Sequence, residues 1–182
     1  MKAEITGALV DEHRLILRMI TLMEKNASLT AKGSYTNWQF YLDGVDFIRN
    51  YADRFHHAKE EGVLFEALVA NGMPREKSPV AAMLMEHDQG RQFVAAMENA
   101  AREVMEGLPG RELEIAENAL AYAELLRGHI DKEDGILYPL AERVIPDAIR
   151  EEILKGYEEA RAETSADFSE HYRQIVEKYE RE

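Results

Sequence analysis

The sequence predicts an all-α fold: an antiparallel up-down-up-down four-helix bundle with an additional C-terminal helix. Apolar residues recur at the spacing of helix faces, alternating strand patterns are absent, and Gly and Pro gather in a few short breaks. The short connections between long stretches favour antiparallel neighbours.

The first stretch covers residues 4–30 and ends before Lys32-Gly33-Ser34. The second covers residues 37–70 and stops at Asn71-Gly72-Met73-Pro74. The third begins at Ser78-Pro79, where Ser can cap the helix and Pro suits its first position, and ends at Gly107-Leu108-Pro109-Gly110. The fourth covers residues 112–138, just before Pro139, with room for a further turn to Arg143. Residues 1–145 are thus expected to form the bundle and residues 146–182 a helical extension. The extension carries a looser apolar stripe of Ile149, Ile153, Tyr157, Phe168, Tyr172 and Ile175, expected to lie against the bundle or a partner.

A chain of 182 residues suits one domain with a substantial buried core. Lys+Arg 22 against Asp+Glu 35 gives a net charge of −13, which opposes binding to phosphate backbones or anionic membranes. No run of apolar residues is long enough to span a bilayer. The opening Met1-Lys2-Ala3-Glu4-Ile5-Thr6-Gly7 lacks the basic-then-apolar pattern of a secretory signal, so a cytoplasmic protein is expected. Cys is absent, which excludes disulfides, thiolate nucleophiles and Cys-ligated clusters. Any metal chemistry must use imidazole and carboxylate, ligands that suit iron, manganese or zinc.

One block occurs twice. Phe55-His56-His57-Ala58-Lys59-Glu60-Glu61-Gly62-Val63-Leu64-Phe65 returns as Gly128-His129-Ile130-Asp131-Lys132-Glu133-Asp134-Gly135-Ile136-Leu137-Tyr138. His56 aligns with His129 and Glu60 with Glu133, so each copy places a His four residues before a Glu, on one helix face.

Inward stripes at 3.6-residue spacing run through Leu9, His13, Ile16 and Ile20 on the first helix. On the second they run through Ala52, His56, Glu60 and Val63, and on the third through Leu84, His87 and Val94. The fourth offers Tyr122, Leu126, His129, Glu133 and Ile136. A single His on an apolar stripe is usually a hydrogen-bonded core residue. One on each of four stripes, with two Glu at a fixed offset, is a different matter. Buried carboxylates without a counter-charge cost several kcal/mol, roughly, and a bound cation removes that penalty. The constellation therefore points to a metal site, most simply a dinuclear one. The Glu-x-x-His of ferritin-like bundles and the His-Glu-x-x-His of zinc proteases are both absent.

The sequence resembles the hemerythrin family, in its HHE cation-binding branch. The resemblance rests on Glu12-His13, His56-His57-Ala58-Lys59-Glu60-Glu61 with Leu64-Phe65, Glu86-His87-Asp88-Gln89-Gly90-Arg91, and His129 to Glu133 with Leu137-Tyr138-Pro139. It implies a bundle holding two non-haem Fe ions, oxo- or hydroxo-bridged when oxidised, with Mn or Zn as substitutes. Carried onto matching positions, it implies His13, His56, His87 and His129 as terminal ligands and Glu60 and Glu133 as bridges. Oxygen carriers of the family have a second His four residues along the third helix, whereas Arg91 stands at that place here. The resemblance therefore implies a site poorer in His, with an open position suited to sensing or redox chemistry rather than oxygen storage.

His57 aligns with apolar Ile130 and lies about 100° round an α-helix from His56, so it is not expected as a ligand. Glu61 and Asp134 are candidates for orienting imidazoles, and also for plain solvated charges. His171 reads as a surface residue. The leading functional expectation is a protein that binds or senses oxygen, nitric oxide or iron, with peroxide as a further ligand. The alternative is a di-iron redox enzyme of peroxidase, catalase or nitric-oxide type. A related branch repairs iron–sulfur clusters, often with a Cys-bearing domain, and is not the expectation for a sequence with no Cys, while an iron store would gain little from two metals per chain. A second copy of the chain or a signalling partner is the expected occupant of the C-terminal helix if the bundle does not cover it.

Overall fold

The computed structural model describes residues 3–162 and 164–182, which are helical with no strand among them. Helix α1 spans Gly7–Thr30. Helix α2 is built of successive segments, Trp38–Phe47, Ile48–His57, Glu60–Leu64 and Phe65–Ala70, of which the middle two are wound as π-helix. Helix α3 spans Pro79–Met105, with Ser78 Oγ accepting from the Ala81 N–H at 3.3 Å and Pro79 in the first turn. Helix α4 joins Glu112–Lys132, a π-helical Glu133–Leu137 and Tyr138–Val144. Pro139 is tolerated because it falls in the first turn of that last segment, where an N–H is dispensable.

The π-helical segments change the register of the buried face. Leu64 and Leu137 are buried where the 3.6-residue spacing selects Val63 and Ile136, and Ile136 is 61% exposed. Both slips follow directly on Glu60 and Glu133, which open the two short π segments. A turn closed by i→i+5 bonds is wider than an α-turn, so it rotates the chain less per residue. On α3 the buried positions include Val80, Met83, His87 and Val94, with Leu84 only partly covered.

Each of the first four helices packs on two others: α1 with α2 and α4, and α3 with α2 and α4. Their shared interior holds two hydrophobic clusters. One includes Ile16, Met19, Phe47, Val94, Met97 and Leu126. The other includes Leu9, Leu64, Phe65, Met83, Leu137 and Tyr138. Close to where the chain passes from one cluster to the other lie His13, His56, Glu60, His87, His129 and Glu133, all 3% exposed or less. The core is thus two apolar blocks with an ionisable layer between.

The C-terminal region forms two helices rather than the one expected, α5 at Arg150–Ala162 and α6 at Phe168–Glu180, with Thr164 to Asp167 outside regular helix. Helix α6 adds Tyr172, Val176 and Tyr179 to the first cluster, and its tyrosines donate to Asp46 at 3.0 Å and Asp43 at 2.5 Å. Helix α5 adds Ile153 and Tyr157 to the second. It lies so close to α2 that a Cβ on Gly156 would come within 3.1 Å of Val63 Cγ1.

Arg150, 1% exposed, ties α5 down. Its guanidinium pairs with the Glu142 carboxylate and donates to the carbonyls of Ala3 at 2.7 Å and Glu142 at 2.6 Å. Glu142 in turn accepts from the backbone N–H groups of Ile5 and Thr6 at 2.6 and 3.0 Å. This one charge pair therefore joins the N-terminal segment, the end of α4 and the start of α5. Removing one partner of a buried pair strands the other, at a cost of about 3 kcal/mol. Arg150→Ala should lower the unfolding free energy by about that amount in urea titrations, and a loss below about 1 kcal/mol would show the linkage to be dispensable.

Candidate metal centre

The ionisable layer is organised by pairs of imidazoles. His13 Nε2 lies 3.0 Å from His56 Nε2, and His87 Nε2 lies 3.0 Å from His129 Nε2. In every case the other ring nitrogen meets a carboxylate. His13 Nδ1 donates to Asp134 at 2.8 Å, His56 Nδ1 to Glu12 at 2.9 Å, His87 Nδ1 to Glu61 at 2.6 Å and His129 Nδ1 to Glu86 at 2.9 Å. A neutral imidazole that gives its Nδ1 proton away presents a lone pair at Nε2. Two such lone pairs facing each other at 3.0 Å repel unless positive charge lies between them.

The carboxylates complete this demand. Glu133 places Oε2 3.3 Å from His13 Nε2 and Oε1 3.1 Å from His129 Nε2, so it reaches both imidazole pairs. Glu60 Oε2 lies 3.7 Å from His56 Nε2 and 3.6 Å from His87 Nε2, again between the two pairs. Glu60 Oε2 and both oxygens of Glu133 are buried without a hydrogen-bond partner. Such a set of lone pairs and orphaned carboxylate oxygens fits a pair of divalent cations. The donor atoms fall into two groups, His13, His56, Glu60 and Glu133 in one and His57, Glu60, His87 and His129 in the other, each within 4.8 Å.

Without a cation, protons must answer the same field. Burial opposes charge on His13, but the hydrogen bond to Asp134 and the nearby Glu133 carboxylate prevail and push it up to about 9. His129 moves up likewise, against burial, through Glu133 and Glu86. Burial and the neighbouring Glu133 push Glu60 well above the carboxylate range, while His129 and His13 hold Glu133 well below it despite its burial. His56, with burial dominant and His13 beside it, is held well down.

The repeated block supplies the support. Lys59 Nζ pairs with Glu12 and Lys132 Nζ with Glu86, so the lysine of each copy anchors the acid that orients that copy's His. The acid after Glu60 or Glu133, namely Glu61 or Asp134, orients a His on another helix. The roles of Lys59, Lys132, Glu12 and Glu86 escape a reading of single helices, although the recurrence of the lysines was visible in the repeat.

One residue differs from expectation. His57 is 7% exposed and faces inward, its ring stacked on His87 at 3.7 Å between centroids. The rotation that would turn it outward holds for an α-helix, whereas Ile48–His57 is π-helical. His57 Nδ1 meets Asp53 at 3.3 Å, and burial with His87 alongside lowers its pKa to about 3, so the ring is neutral. Arg91 is engaged by carboxylates, binding Asp53 at 2.6 Å, Glu61 at 2.8 Å and Asp88 at 2.9 Å. Its guanidinium therefore fills the nearby Asp53, His57 and Glu61 group and braces the acid that orients His87. Tyr138, overlooked as a site residue, donates to Glu60 Oε1 at 2.5 Å and stacks on His13 at 5.6 Å.

The family model of the hemerythrin HHE cation-binding domain matches residues 4–141. The chain belongs to that family, and its His and Glu clusters are suited to binding metal. No curated protein and no solved structure gives a significant match. Among the described residues no helix is long and apolar enough to cross a membrane.

Partners that orient a ligand imidazole typically change metal affinity by about 10–100-fold. Glu61→Ala should fall in that range in competition with a chelator, while Glu60→Ala and Glu133→Ala should retain much less metal. Equal retention by all three variants would contradict the difference in their positions.

Proposed function

We propose that this chain is a dinuclear non-haem iron protein, an antiparallel up-down-up-down bundle that binds or senses a small ligand such as oxygen or nitric oxide. His13 and His56 would hold one ion, and His87 and His129 the other, with Glu60 and Glu133 shared between them. The observation that carries this reading is the facing of imidazole nitrogens at 3.0 Å in two places beside orphaned carboxylate oxygens. His57 is a third imidazole for the second ion, since it lies within 4.8 Å of the His87, His129 and Glu60 ligand atoms. When bound, two irons would supply electrons to a small ligand by cycling between the diferrous and diferric states.

The protein's own groups fix the rest of the chemistry. The carboxylate on each Nδ1 sets the tautomer and keeps Nε2 available. The apolar clusters on either side keep bulk water from the layer. A second reading, a di-iron redox enzyme, is favoured by Tyr138. Its hydroxyl lies 2.5 Å from Glu60 Oε1 and 3.5 Å from His13 Nε2, and burial with Glu60 beside it pushes its pKa far up. A phenol held protonated against a ligand carboxylate is placed to give a proton at that atom.

Elemental analysis after anaerobic iron loading should find close to two equivalents per chain, and His57→Ala should weaken one of them while sparing the other. The optical spectrum should show charge-transfer bands on air exposure that bleach on reduction. One equivalent in the wild type, with His129→Ala harmless, would rule out the dinuclear reading. A stable oxygenated spectrum would favour ligand carriage. Rapid turnover of peroxide, slowed by Tyr138→Phe with iron retained, would favour the enzyme.

A further inference from the structure

Beside the His87 and His129 pair lies a cavity of about 190 Å³. Its lining runs from the half-exposed Arg49 and Arg91 inward to the buried His57, His87 and His129. Apolar walls of Ile48, Val94, Leu125 and Leu126 lie between. The cavity depends on the absence of a side chain at Gly90: a Cβ there would lie 3.3 Å from Tyr122 Cε2 and 3.8 Å from Leu125 Cδ2. On α4, Tyr122, Leu125, Leu126 and His129 share the face that meets it.

Size and polarity define an occupant. An apolar cavity of about 150 Å³ takes up benzene, so this one has room for a substituted six-membered ring and far exceeds a diatomic molecule. Its charged lining is already engaged. Arg91 binds Asp53, Glu61 and Asp88, Arg49 binds Glu98 at 2.5 Å, and Glu86 is held by His129 and Lys132. No cation is left to recruit an anion. Tyr122, a lining residue 3% exposed, is different: its buried Oη has no hydrogen-bond partner. Burial, with Asp53 nearby, raises its pKa, so the hydroxyl stays protonated and can both donate and accept.

We infer that this cavity is a binding site for a small neutral ring compound with one hydrogen-bonding oxygen, received by Tyr122 Oη between walls of Val94, Leu125 and Leu126. The occupant would stand between solvent and the His87–His129 pair and so control one approach to the proposed metal centre. That consequence rests on the metal reading, whereas the binding itself does not.

The test is calorimetric titration of phenol and of toluene into the full-length zinc-loaded protein, with zinc content and circular dichroism recorded for every sample. Both probes should bind saturably to the wild type. Tyr122→Phe should weaken phenol about tenfold, in line with the loss of one buried hydrogen bond, and change toluene less than about twofold. Leu125→Trp, or Val94→Phe where tryptophan is not tolerated, should abolish binding of both. No saturable binding to the wild type, equal effects of Tyr122→Phe on both probes, or unchanged binding to a folded cavity-filling variant would overturn the assignment. An iron–phenolate absorption band on adding phenol to iron-loaded protein would also overturn it, by placing the phenol on the metal. Failure of the protein to take up zinc, with binding of both probes intact, would count against the metal reading alone.

Discussion

Buried lone pairs converge on two points in this protein, and the rest of the fold is arranged to hold them there. Four Nε2 atoms and the oxygens of Glu60 and Glu133 meet in a layer that is almost wholly buried. Without positive charge, that arrangement costs more than a hydrophobic layer of the same volume would return. With cations in place, the same atoms tie α1, α2, α3 and α4 together at one level. Metal binding and folding are then coupled, because the unfolded chain has no such gathering of donors.

Around this layer the charges are nested rather than scattered. Each of the four paired imidazoles is backed by an acid, and those acids are met by Lys59, Lys132 or Arg91 in three of the four cases. Lys59 is itself 3% exposed and lies over the Phe55 ring at 3.5 Å. Such a chain of contacts fixes the tautomer of an imidazole and leaves it little rotational freedom. The internal repeat explains how one short motif does this twice, since each copy carries a His, an anchoring Lys, an inward Glu and an acid that reaches across to another helix.

Much of this was legible in the sequence because it is a matter of spacing. The helices and the inward positions of His13, His56, Glu60, His87, His129 and Glu133 all follow from periodicity and from the repeat. What the sequence hid lies where helical winding departs from 3.6 residues per turn. The π-helical segments bring in His57, bury Leu64 and Leu137, and expose Ile136, and no local pattern announces them. Arg91 was hidden for another reason: its partners Asp53 and Glu61 lie on a different helix, so only tertiary structure shows that it faces them. The break between α5 and α6 falls in a polar stretch whose apolar stripe reads equally well as one helix or two.

The central claim is that positive charge lies between the paired imidazoles in the form of two metal ions. Anomalous diffraction at the iron edge, from crystals of iron-loaded protein, tests it most directly. Two peaks are predicted, one between His13 and His56 and one between His87 and His129, each also in contact with Glu60 and Glu133. A single peak, or peaks confined to exposed carboxylates with the four imidazoles left in hydrogen bonds, would contradict the account.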